Sequence, residues 1–86
     1  MTHLTATLYG TTSCRRYQRM KKALLEAAEK TQTAITINEV EEIEALEKFN
    51  PLSLPRLYIG NELIASQNPP KSDAVSRVIE NLMKHG

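Results

Sequence analysis

The chain has 86 residues, a net charge of +1 and 41% apolar residues, which suits one small domain over 1–86 with a single modest core. Its near-neutral charge excludes bulk electrostatic binding to nucleic acid or a membrane surface, and no apolar run suits a signal-peptide core or a membrane span. A single cysteine, Cys14, cannot staple a fold, so a disulfide-built secreted scaffold is excluded and a cytoplasmic setting is expected.

Leu4, Ala6 and Leu8 alternate with Thr5, Thr7 and Tyr9, which predicts a first strand. Gly10 to Ser13 reads as a turn, with Thr12 or Ser13 placed to cap a helix. Tyr17, Met20, Leu24, Ala27 and Ala28 recur at helical spacing, predicting a helix from about Cys14 to Lys30. Ala34 to Val40 alternates through Ile35 and Ile37 and predicts a second strand. Ile43, Leu46 and Phe49 mark a short helix whose outer face is acidic through Glu41, Glu42, Glu44 and Glu47, and Asn50-Pro51 ends it.

Arg56 to Ile59 and Glu62 to Ser66 predict two short strands joined by the hairpin signal Gly60-Asn61. Asn68-Pro69-Pro70 is a rigid loop. Ser72 is placed to cap a last helix with the apolar face Val75, Val78, Ile79 and Leu82. The order is βαβαββα, an α/β arrangement. Its first half is a parallel pair with a right-handed crossover, and its second half is an antiparallel hairpin plus a helix. A four-stranded mixed sheet with helices on both faces is the expected architecture.

The chemistry concentrates at Cys14, which ends the turn and opens the first helix. A helix N-terminus offers free N–H groups and about half a positive charge, both favouring thiolate over thiol. Arg15 and Arg16 follow directly, and with Arg19, Lys21 and Lys22 they make five cations in eight residues. Cations in a first helical turn are unfavourable by roughly 0.3–1 kcal/mol each, and a broken local rule points to a functional site. Arg15, Arg19 and Lys22 share one side of the helix. A solvated face accounts for them equally, and with only Tyr17 interleaved they do not make a nucleic-acid patch. Tyr17 has two readings: its hydroxyl bonds the thiolate one turn away, or its ring packs with Met20 and Leu24. No metal site is expected, because the two histidines, His3 and His85, lie at the ends and one thiol is too few.

The element order, the cysteine at the head of the first helix and Leu54-Pro55 before the third strand resemble the thioredoxin fold, closest to short thioredoxin-like and glutaredoxin-like proteins of prokaryotes. The resemblance covers nearly the whole chain. It sets Cys14 at the position of the family's first, nucleophilic cysteine. It sets Pro55 at the position of the proline held in cis against the thiol. Leu54 would then offer its backbone to an extended partner, and Ser13 and Pro69 would help line a substrate groove. The sequence departs from the family at Tyr17, where the second cysteine of Cys-x-x-Cys would stand, so an intramolecular dithiol cycle is impossible. The glutathione-holding Gly-Gly segment is also replaced, by Gln67-Asn68-Pro69-Pro70.

The leading expectation is single-cysteine thiol–disulfide exchange through a mixed disulfide. Cys14 would be the nucleophile, with Arg15, Arg16 and Tyr17 stabilising its thiolate. The partner would be a protein or a low-molecular-weight thiol or disulfide. No resident cofactor is implied, only an external thiol reductant. The alternative is a redox-inactive module of the same fold that binds a peptide or protein. An arsenate-reductase-like reading shares the strand–turn–Cys–basic-helix opening but lacks the further arginines. A monomer is expected, with a Cys14-linked dimer as the alternative state.

Overall fold

The computed structural model describes residues 3–85, without the His85 side chain. Seven regular elements follow in order: β1 (His3–Tyr9), α1 (Arg15–Thr31), β2 (Ala34–Val40), α2 (Ile43–Leu46), β3 (Arg56–Ile59), β4 (Glu62–Ser66) and α3 (Ser72–His85). A single 3₁₀ turn, Pro51–Ser53, precedes β3. The sheet order is β2-β1-β3-β4. β1 runs parallel to β2, with Leu4 opposite Ile35 and Leu8 opposite Glu39. It runs antiparallel to β3, which pairs antiparallel with β4.

The alternation in β1 sends Ala6 and Leu8 fully into the core. The buried stripe of α1 is Tyr17, Met20, Ala23, Leu24 and Ala27. It packs on Ala6, Leu8, Leu57 and Ile59 from the sheet and on Val75 and Ile79 from α3. Both long helices therefore share one face of the sheet, and the expected two-sided cover is realised only in part. On the other face, Tyr9 stacks edge-on against Phe49 at 4.9 Å and Tyr58 at 5.7 Å. The Arg56 guanidinium lies 4.6 Å over the Phe49 ring. This aromatic cluster ties down the chain just after the four-residue α2.

Several local expectations are corrected. The predicted helix through Phe49 stops at Leu46 and gives way to a turn. Asn50 then caps the 3₁₀ turn, its Oδ1 accepting from the Leu52 N–H at 2.9 Å. Ser72 does not cap α3. The Lys71 carbonyl accepts the first helical bonds, and the Ser72 hydroxyl accepts from Lys30 Nζ at 3.0 Å. A β-bulge places Ile64 as an extra residue between the Leu57–Ala65 and Tyr58–Leu63 pairs. Both Ile64 and Ala65 thereby reach the core, while Leu63 stays exposed. Among the described residues, no helix is long and apolar enough to cross a membrane.

Candidate functional site

Cys14 is the N-cap residue of α1, extended at φ −74° and ψ 131°. Its N–H donates to the Thr11 carbonyl at 3.0 Å, closing the turn. Its own carbonyl accepts from the Gln18 N–H at 3.0 Å, opening the helix. Neither Thr12 nor Ser13 caps. The Thr12 hydroxyl donates instead to Glu41 at 3.1 Å, and the Ser13 side chain faces solvent. No side chain caps α1, so its first-turn N–H groups remain open to an anion at Cys14. The Cys14 residue is half-buried, and among the described residues its sulfur has no hydrogen-bond partner.

A cleft of about 290 Å³ opens at this residue, lined by Gly10, Thr11, Cys14, Pro51, Leu54 and Pro55. The Leu54–Pro55 peptide bond is cis and Pro55 is buried. Gly10 makes the close approach to Pro55 feasible. A Cβ there would lie 3.0 Å from Tyr17 Cδ2 and 3.1 Å from Pro55 Cβ, at a φ of 154°. The loop before Pro55 is braced from two sides. Ser66 Oγ donates to the Ser53 carbonyl at 2.8 Å, and the Gln67 N–H donates to the Pro55 carbonyl at 2.9 Å. The Leu54 N–H is turned inward to the Pro51 carbonyl at 3.3 Å, so it is not free for a partner chain. The Leu54 carbonyl has no hydrogen bond among the described residues.

Of the residues singled out from sequence, Cys14, Leu54 and Pro55 come together in this cleft. Ser13 and Pro69 do not line it; Pro69 lies half-buried on the loop before α3, and Gln67 of that loop does not line it either but braces the Pro55 carbonyl through its N–H. Arg15 and Arg16 are exposed, and among the described residues the only ion pairs are Lys21–Glu39 at 3.2 Å and Lys30–Asp73 at 2.9 Å. Arg15, Gln18, Arg19 and Lys22 line a shallow basic depression beside the N-terminus of α1.

Tyr17 is corrected as a thiolate ligand. It is 1% exposed, and its single O–H donates to Glu39 Oε1 at 2.8 Å, leaving no proton for the sulfur. Burial, and then the bond to Glu39, push its hydroxyl pKa well above the ordinary tyrosine value. The bond from Tyr17, and then that from Lys21 at 3.2 Å, hold the Glu39 carboxyl below its ordinary range.

Gly10, Thr11 and Pro51 belong to the cleft but read in sequence only as turn and helix-stop residues. The useful signal was Asn50-Pro51, which carries a capping side chain as well as a break. Among the described residues, no three His, Cys, Asp or Glu side chains gather as a metal site. The chain matches no protein-family model and no curated protein.

Proposed function

We propose that this chain is a thioredoxin-like protein that carries out single-cysteine thiol–disulfide exchange at Cys14. The observation that carries the reading is the half-buried Cys14, its sulfur without a hydrogen-bond partner among the described residues, at an uncapped helix N-terminus and sharing one cleft with Leu54 and cis-Pro55. The sheet order β2-β1-β3-β4, with only its first pair parallel, supports the fold assignment.

In the proposed reaction the Cys14 thiolate attacks one sulfur of a disulfide R–S–S–R′. A bond forms between Cys14 and the sulfur of R as the S–S bond breaks, and R′S⁻ leaves with the electron pair. An external thiolate R″S⁻ then attacks the sulfur of R, which regenerates Cys14 and yields R–S–S–R″. The protein ends each cycle in its starting redox state. A reducing, cytoplasmic compartment suits this cycle, because the external thiol must be plentiful. Exposed Arg15 and Arg16 add positive potential beside the attacking sulfur.

The test is a peptide disulfide mixed with the reduced protein, quenched in acid and weighed intact. One peptide adduct per chain at Cys14, released by added thiol and absent in Cys14→Ser, is expected. Absence of an adduct would contradict the reading. The binding-module alternative rests on the apolar wall that Pro51 and Leu54 supply without the thiol. It predicts noncovalent peptide binding that Cys14→Ser leaves unchanged.

A further inference from the structure

The cleft at Cys14 does not end at Pro51 and Leu54. The same two residues wall a second depression of about 350 Å³, completed by Ile43, Leu46, Glu47 and Phe49. Ile43 is 74% exposed, and Leu52, next to Pro51, is 75% exposed. Single exposed apolar residues need no explanation, but Ile43 lines a groove that shares two wall residues with the cleft at Cys14, and Leu52 only flanks it through Pro51. The groove is also preformed. Phe49 is held by Tyr9 at 4.9 Å and by Arg56 at 4.6 Å, so its wall is fixed before anything binds.

We propose that this groove is a specificity subsite for a large apolar side chain of an extended polypeptide whose cysteine exchanges with Cys14, a proposal that rests on the exchange reading above. Three observations select that occupant. The groove and the cleft share Pro51 and Leu54, so a partner held at Cys14 presents its neighbouring side chain there, at about 3.3–3.6 Å of chain per residue. The Leu54 carbonyl lies at the junction with no partner among the described residues, an acceptor for a peptide N–H. Glu47 lines the groove and exposed Glu44 lies on the same short helix, which favours a cation near the apolar residue and disfavours a carboxylate-bearing small thiol.

The test uses three synthetic homodisulfides: acetyl-Lys-Phe-Cys-Gly-amide, acetyl-Gly-Cys-Phe-Lys-amide and acetyl-Lys-Gly-Cys-Gly-amide. The rate of adduct formation at Cys14 is divided by the rate with N-acetylcysteine amide, which removes intrinsic disulfide reactivity. At least one phenylalanine peptide is expected to lead the glycine peptide by roughly tenfold, the effect of partly burying one large apolar side chain. Ile43→Ser, at a position exposed enough to leave the fold intact, is expected to bring that ratio towards one. Equal normalised rates for all three peptides, with adducts still forming faster than on the reference thiol, would overturn the subsite and leave the exchange reading standing. Rates no faster than the reference thiol would overturn both. A concentration-dependent dimer in sedimentation that Ile43→Ser dissociates would assign the groove to a second copy and overturn the proposal.

Discussion

At the scale of single residues, Gly10 and Tyr17 hold the site in shape from beneath. A methyl group at position 10 meets Tyr17 Cδ2 at 3.0 Å and Pro55 Cβ at 3.1 Å, and Pro55 is buried with nowhere to retreat. Gly10→Ala is therefore expected to cost about 1–3 kcal/mol in urea unfolding, the usual range for overpacking, and to slow adduct formation at Cys14. Tyr17→Phe removes the bond to Glu39 and should cost about 0.5–1.5 kcal/mol while leaving the exchange rate unchanged. A rate loss without a change in fold would mean that the hydroxyl serves the sulfur after all. The pair also sets a pH dependence. Glu39 titrates lower in the folded chain than in the unfolded one, so its contribution is present above the ordinary glutamate range and is lost as pH falls through the folded value. Tyr17 titrates higher when folded, so stability declines above about pH 10, where the unfolded chain alone gives up the proton. Tyr17→Phe should remove the alkaline decline and weaken the acid one, read from urea midpoints across pH.

At the scale of elements, α1 combines a well-packed inner stripe with an adverse first turn. That turn holds Arg15 and Arg16 and no acidic residue. Replacing both arginines by glutamate should stabilise the helix by roughly 0.3–1 kcal/mol each and slow exchange, with the rate difference shrinking at high salt. Equal rates for variant and parent at low salt would remove the arginines from the mechanism. The inner stripe was readable because Tyr17, Met20 and Leu24 repeat on one face. Strands β3 and β4 were readable because Gly60-Asn61 separates two short apolar runs. The bulge at Ile64 was not, because Leu63-Ile64-Ala65 is a continuous apolar run with no period to break. The end of α2 was also hidden. Phe49 keeps helical spacing from Leu46 but is drawn across to Tyr9 on the sheet, a tertiary contact that no local pattern encodes.

At the scale of the whole molecule, the sheet brings together two loops far apart in sequence, Gly10–Cys14 and Pro51–Pro55, at one end. β1 and β3 are antiparallel neighbours, so the end of β1 and the start of β3 meet there, with Tyr9 opposite Arg56. That meeting explains how much of the site was legible. Cys14, Leu54 and Pro55 each carry a local signal, whereas Thr11 and Pro51 enter the cleft only through the strand pairing. Ser13 and Pro69 are neighbours of the right elements, yet the first faces solvent and the second, half-buried, does not line the cleft. The central claim is that folding makes Cys14 a better nucleophile rather than a protected one. The direct measurement is its rate with 4,4′-dithiodipyridine in the native chain and in the same chain unfolded in urea, at one pH, counting one thiopyridone released per chain. The account predicts faster reaction in the native state, despite half-burial of the cysteine, because only there does Cys14 sit at an uncapped helix N-terminus with Arg15 and Arg16 in the turn that follows it. Slower reaction in the native state would contradict it and make Cys14 a packed residue of a binding module.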